Sequence, residues 1–160
     1  MRTALEGIYR QYRQGLYSLA LSITREPLQA EDAVQEAFAR LWRRDRPPVS
    51  DPVAYVFATV RNAAVDTLRQ NKARAVDPVS LYNGQVHDPA GSLIEDEAAR
   101  RLRSAVDNLP DNQRQAVVMK VYAGLTFQQI AEACGEPLST VSSRYHRALD
   151  RLRGSLGDES

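Results

Sequence analysis

Residues 124–153 read GLTFQQIAEACGEPLSTVSSRYHRALDRLR, and the local chemistry of this stretch decides the fold class. Thr126 followed three residues later by Gln129 is a capping-box pair, in which the two side chains satisfy each other's orphan backbone amides at a helix start. The helix begun there carries Ile130 and Ala131 and reaches Cys134, where Gly135 suits the left-handed position just past a helix end. Pro137 then precedes a longer helix from about Leu138 to Arg153. A short and a long helix across a glycine turn form a helix-turn-helix pattern. In the longer helix Val141, Tyr145, Ala148 and Leu152 share the packed stripe, so Ser139, Ser143, His146 and Arg147 face away, flanked by Thr140, Arg144 and Arg151. Small hydroxyls let a backbone approach phosphates closely, and arginine pairs bidentately with guanine edges, so this face suits DNA. An isolated basic helix is usually just solvated; the capped helix and turn directly before it favour a DNA reader.

Moving upstream, a helical pattern opens at Leu93, continues through Leu102 and Val106, and breaks at Leu109-Pro110. It resumes at Asp111 with Ala116, Val117, Met119, Val121 and Tyr122, and Gly124 ends it. From Ala75 to Gly91 the periodicity is lost, and Asp77-Pro78, Asn83-Gly84 and Asp88-Pro89 supply turn signals, as expected of an interdomain linker. The first half shows three amphipathic helices. In the first, Leu5, Ile8, Tyr12, Leu16, Leu19 and Ile23 fall in steps of three and four, and Pro27 closes it. The second, from about Leu28 to Arg44, buries Ala33, Val34, Ala37, Phe38, Leu41 and Trp42 and leaves Asp32, Gln35, Glu36, Ala39 and Arg43 outside. The third opens on the N-cap pair Asp51-Pro52 and carries Val53, Val56, Phe57, Val60, Ala64 and Leu68 on its apolar stripe, with Arg61, Asn62, Asp66, Arg69 and Lys72 on the other side. The fold class is therefore all-α: a three-helix bundle over 1–74, a flexible linker over 75–92, a helix-turn-helix domain over 93–153 and a tail over 154–160.

The 160 residues are 43% hydrophobic and 26% charged, the composition of an ordinary globular chain rather than a disordered or membrane one. A formal net charge of +1 does not announce a nucleic-acid binder, but the charges are unevenly placed. Arginines crowd the end of the first half and the last helix, and acid gathers between them at Asp88, Glu95, Asp96 and Glu97. One cysteine, Cys134, excludes an intrachain disulfide and fits a reducing compartment. With no apolar signal core and no span of about 20 apolar residues, no membrane insertion and a cytoplasmic location are expected.

Taken with their spacing, Gly124-Leu125-Thr126, Ile130-Ala131-Glu132, Gly135, Thr140-Val141-Ser142-Ser143-Arg144 and Arg147-Ala148 resemble region four of extracytoplasmic-function (ECF) RNA polymerase sigma factors of the sigma-70 family. Leu109-Pro110 with Gln113-Arg114 matches the opening of that region. Independently, Ala30-Glu31-Asp32-Ala33-Val34-Gln35-Glu36-Ala37-Phe38, Leu41-Trp42 and Arg61-Asn62-Ala63-Ala64-Val65-Asp66 with Leu68-Arg69 resemble region two. The resemblance implies a non-enzymatic transcription initiation factor. Asp32, Gln35 and Glu36, an acidic surface without a local cationic partner, would dock on the clamp helices of the largest subunit of RNA polymerase core, the flap of the second-largest subunit being a further implied partner. Asn62, Asp66 and Arg69, with Arg61 and Lys72 as phosphate contacts and the loop from Arg44 to Asp51, would hold the minus-ten promoter element, a base being flipped into a pocket. Ser139, Thr140, Ser143, Arg144 and Arg147 would read the minus-thirty-five element, with Thr126, Gln128 and Lys120 on phosphates. An anti-sigma factor is implied as a further partner. Two positions depart from the family pattern: Glu136 stands where an apolar residue usually precedes the proline, and Ser139 where glycine is common.

Other functions fit the residues less well. A metal-dependent nuclease would start from Glu31, Asp32 and Glu36, but no histidine or further acid is placed to complete a site, so no cofactor or metal is expected. Cys134 has no histidine near it in sequence to activate it. A conventional helix-turn-helix regulator with an N-terminal sensor domain predicts palindromic operator binding without polymerase.

Overall fold

The computed structural model describes residues 2–43, 50–74 and 96–157. Most of the loop from Arg44 to Asp51, the expected linker over 75–92 and the start of the second domain at Leu93 lie outside these residues. Among the described residues the chain forms α1 (Arg2–Thr24), α2 (Pro27–Arg43), α3 (Pro52–Arg74), α4 (Glu97–Asp107), α5 (Asp111–Val117) with a π-helical turn (Val118–Tyr122), α6 (Phe127–Cys134) and α7 (Leu138–Gly157). The chain is all-α, with no strand among those residues, and none of their helices is long and apolar enough to cross a membrane.

Local chemistry places the helix ends. α1 stops at Arg25, which adopts φ 61, a left-handed conformation costing a non-glycine residue roughly 1 kcal/mol. Pro27 does not close α1 as expected; it is the first residue of α2, where its missing N–H is no loss. Both oxygens of Glu26 cap that start, accepting from Leu28 N at 3.1 Å and Gln29 N at 3.0 Å. Asp51 caps α3 through Ala54 N at 3.1 Å, and Asp96 caps α4 through Ala99 N at 2.7 Å. α7 runs through Gly157, so the expected tail from 154 is helical for its first four residues.

α1, α2 and α3 pack as a three-helix unit around Leu5, Leu16, Leu19, Val34, Leu41, Phe57 and Val60. α4 to α7 form a second unit around Val106, Val117, Met119, Leu125, Ile130, Val141 and Leu152. The two pack on each other: α3 lies along α6, α1 lies along α5 and the π turn, and the buried side chains of both make one contiguous cluster. At Gly15 the two units approach so closely that a Cβ there would lie 2.7 Å from Ala123 Cβ.

Trp42 does not sit on the buried face of α2; it is 38% exposed, because it falls about 100° around the helix from Leu41, which fills the core instead. Val121 and Tyr122 are also exposed, since the i→i+5 bond from Ala123 N to Val118 O widens the helix there and turns them outward.

Arginines from each unit cap a helix end of the other. Arg25 Nη2 donates to Asp107 O at 2.8 Å, and the buried Arg114 donates from Nε to Ser22 O at 3.0 Å. Burial at this junction pushes the Asp107 carboxyl up, with Arg25, Arg114 and Arg103 opposing the shift. An unfolded Asp ionises near ~3.9. Between that value and the higher native one, the folded state holds a proton the unfolded state has released, so stability falls as pH rises through this window. Asp107→Asn is expected to remove that fall, gaining on the wild type from pH 4 to pH 7 in urea titrations; an unchanged pH profile would contradict it.

Candidate nucleic-acid and polymerase interface

The helix-turn-helix forms as its residues dictate. Thr126 Oγ1 accepts from Gln129 N at 3.1 Å and Gln129 Oε1 accepts from Thr126 N at 2.9 Å, completing the capping box. Gly135 takes φ 66, and Glu136 N donates back to Ala131 O at 3.1 Å, so the carbonyls ending α6 are satisfied. Pro137 O then accepts from Thr140 N and Val141 N, both at 3.1 Å, and α7 begins. Val141, Ala148 and Leu152 are buried on its inner face.

On the outer face Ser139, Thr140, Ser143, Arg144 and Arg147 line one polar groove of about 450 Å³. Its far wall is Asn112 and Gln113 at the start of α5. Neither of those two was expected at the site from the sequence, because their nearness to α7 depends on how α5 crosses it. Gln113 Oε1 is buried there without a hydrogen-bond partner among the described residues. Thr126 and Gln128 are exposed at the start of α6 and stand apart from the groove. Lys120 is engaged elsewhere, with Nζ 4.6 Å above the Phe127 ring, a cation–π contact. Phe127 in turn meets Tyr145 edge-on at 5.4 Å, which ties the support helix to α7.

In the first unit, Asn62, Asp66 and Arg69 are exposed at i, i+4 and i+7 on one face of α3, and Lys72 follows one turn on. Arg61 is separated from them. Expected to stand outside, it is half-buried against the second unit, where its Nε donates to Gln115 Oε1 at 2.9 Å. Asn62 lines a groove of about 240 Å³ between α2 and α3, together with Arg40, Leu41, Tyr55, Ala58 and Thr59. A cation, an aromatic ring and a carboxamide around one concavity offer charge, stacking and hydrogen bonding to a nucleotide. Tyr55 and Arg40 were not singled out from the sequence; Tyr55 lies one residue off the apolar stripe of α3.

Asp32, Gln35 and Glu36 are exposed together on α2. The side chains of Asp32 and Gln35 make no hydrogen bond to other described residues. Glu36, contrary to expectation, has a local cationic partner: Arg40 Nη2 lies 2.8 Å from its Oε1. The pair is exposed and worth little to stability, so a guanidinium from another chain can displace it.

Cys134 lies half-buried in a small cavity bordered by Arg61, Gln115 and Arg144, and burial pushes its thiol up, away from the thiolate a nucleophile needs. Among the described residues no three His, Cys, Asp or Glu side chains cluster as metal ligands would.

Comparison with known proteins returns one family twice. Sigma-70 region 2 matches residues 8–74 and Sigma-70, region 4 matches residues 99–152. The ECF RNA polymerase sigma factor RpoE of Cereibacter sphaeroides is 32% identical over 130 residues, covering 78% of this chain and 71% of that protein. The ECF RNA polymerase sigma factor SigK of Mycolicibacterium vanbaalenii is 28% identical over 162 residues, covering 96% and 82%. The fold is shared with the sigma factor RpoE from Bartonella quintana, solved in complex with the anti-sigma factor NepR, at TM-score 0.74 and 22% identity over 98% of this chain and 96% of that one. It is shared also with CnrH in complex with the cytosolic domain of CnrY, at TM-score 0.71 and 20% identity over 100% and 92%.

Proposed function

Because this chain belongs to the ECF RNA polymerase sigma factors of the sigma-70 family, we propose that it binds RNA polymerase core and directs it to specific promoters. The observation that carries this reading is the presence of region 2 and region 4, in that order, on one chain. A conventional operator-binding regulator needs only the second.

The domain roles follow in sequence order. Residues 1–74 dock on core and hold the minus-ten element, 75–92 link, and 93–153 read the minus-thirty-five element. Asp32, Gln35 and Glu36 present carboxylates and an amide to basic side chains on the clamp helices of the largest subunit, and charge complementarity there speeds encounter as well as holding the complex. The flap of the second-largest subunit is a further expected contact on core. Asn62, Asp66 and Arg69 meet the opened minus-ten strand, with Arg61 and Lys72 on its phosphates and the loop from Arg44 to Asp51 beside them. Ser139, Thr140, Ser143, Arg144 and Arg147 enter the major groove at the minus-thirty-five element, supported by phosphate contacts from Thr126 and Gln128. Free energy from core docking and phosphate contacts is used to melt the upstream edge of the bubble, while the polymerase performs nucleotide addition, in the cytoplasm. An anti-sigma factor is a further expected partner; both solved proteins of the same fold are complexes, that of the Bartonella quintana RpoE being with the anti-sigma factor NepR.

A pull-down of core polymerase tests this reading, run beside an Asp32→Ala, Gln35→Ala, Glu36→Ala triple variant and followed by transcription from selected promoter fragments. The wild type is expected to bind and initiate, and the folded variant to lose core binding by about a hundredfold, as truncating charged anchors at an interface does. Binding to a palindromic site with no affinity for core would replace this reading with that of a dimeric regulator.

A further inference from the structure

Two arginines face the groove between α5 and α7, in different surroundings. Arg147 is exposed and makes no ion pair with any described residue. Arg144, one turn earlier, is half-buried, and its Nη2 lies 3.3 Å from Glu136 Oε1, the two side chains being 25% and 38% exposed.

Glu136 has little freedom of its own. Its backbone N–H is held by Ala131 O, the left-handed Gly135 precedes it, and Pro137, whose ring fixes φ, follows. The turn thus sets where the carboxylate originates relative to α7. A carboxylate at the start of a reading helix opposes DNA phosphates, so Glu136 works against raw affinity. Its geometric effect is different. A free guanidinium samples many rotamers and finds phosphates on any sequence, whereas one held at its Nη2 by a carboxylate turns its remaining N–H groups toward a narrower, more fixed direction. Bidentate recognition of guanine O6 and N7 requires that fixed direction.

We propose that Glu136 is a positioning residue that orients Arg144 as a base-reading group for the upstream promoter element, while the unpaired Arg147 serves as a phosphate contact. The proposal rests on the reading of α7 as the promoter-reading helix. A half-exposed ion pair contributes little to folding, so its consequence should appear in discrimination between sequences rather than in stability.

The test measures binding of polymerase core carrying the full chain to promoter fragments randomised across the upstream element. Arg144→Ala is expected to flatten the preference at one or two adjacent base pairs by about tenfold or more, the scale of a bidentate contact. Arg147→Ala should weaken all sequences alike and lower the salt slope by about one. Glu136→Leu should flatten the positions that Arg144→Ala flattens, Glu136→Gln should keep part of the preference by still accepting from Arg144, and neither should alter the preference further in the Arg144→Ala background. A uniform rise in affinity with Glu136→Leu at unchanged preference would overturn the proposal and leave Glu136 as a mere repulsive charge. So would an equal change in preference with and without Arg144. If Arg144→Ala itself left every upstream position unchanged while Ser143→Ala altered the preference, the proposal would be overturned with α7 still the reader; if neither variant altered any upstream position, the reading of α7 would fall as well.

Discussion

Replacing Arg114 with alanine is expected to lower the unfolding free energy by about 3 to 5 kcal/mol, the range in which buried charge networks fail when one member is removed. The residue is 3% exposed, and its side chain reaches three backbone carbonyls: Ser22 O at 3.0 Å, Leu109 O at 2.7 Å and Asp107 O at 3.4 Å. It also pairs with the Asp111 carboxylate. Truncation leaves the Ser22 and Leu109 carbonyls buried without donors, at roughly 1 to 3 kcal/mol each, and opens a void where the stem packed. For a chain of this length the loss corresponds to a fall in melting temperature on the order of 10 °C. Asp111→Ala provides the contrast. That carboxylate is 83% exposed, so its removal should change stability by less than about 1 kcal/mol. If both variants lost the same amount, the ion pair and not the carbonyl contacts would be what Arg114 supplies. Lysine is no substitute, having one nitrogen where the guanidinium spreads donors over three.

Arg114 also marks the boundary of what could be read from the sequence. Features that depend on a few neighbouring residues were legible: the capping box of Thr126 and Gln129, the glycine turn at Gly135, the Asp51 cap, the buried stripe of α7, and the exposure of Asp32, Gln35 and Glu36. Each follows from side-chain chemistry at fixed spacing and needs no knowledge of what lies across the fold. The same spacing brought Ser139, Thr140, Ser143, Arg144 and Arg147 into one groove, because residues on one face of one helix stay together wherever that helix docks.

What the sequence hid depends on docking between segments distant along the chain. Arg114 reads as one more basic residue of an amphipathic helix until the end of α1 is seen to offer it a carbonyl from 92 residues away. Arg61 reads as a free phosphate contact until α6 is laid along α3 and Gln115 accepts its Nε–H. Asn112 and Gln113 join the groove only through the crossing of α5 and α7. The π turn is a second kind of concealment. One extra residue in a helical turn leaves no mark in an apolar pattern, yet it turned Val121 and Tyr122 from the expected stripe to the surface. Glu136 is intermediate: the departure from the family pattern was visible, but the partner that gives it meaning, Arg144, was fixed only by the turn.

Gly15→Leu is expected to drive the two units apart. A Cβ at this position would lie 2.7 Å from Ala123 Cβ and 2.8 Å from Ala123 Cα, and the second of these is backbone that cannot rotate aside. All three of the nearest atoms belong to Ala123, so the first clash is with the second unit. Replacing glycine in a helix interior even favours α1, by up to about 1 kcal/mol, which separates loss of docking from loss of the helix. A compact chain of 160 residues has a radius of gyration of about 15 Å. Small-angle scattering of the variant should show a rise of about 5 Å or more, the scale of two linked bodies no longer sharing a core. The functional sign follows from lengths. Promoter elements centred near minus ten and minus thirty-five lie roughly 25 base pairs apart, about 85 Å at 3.4 Å per pair, whereas a globule with the closed chain's radius of gyration spans about 40 Å. The closed arrangement also keeps Arg61 on Gln115, away from the phosphate contact proposed for it. Contact with both elements therefore requires the units to part, and a closed population lowers apparent affinity by the fraction that is open. Gly15→Leu should bind core and promoter more tightly than the wild type. An unchanged radius with unchanged affinity would mean that the Gly15 contact yields by local adjustment and sets no barrier to opening.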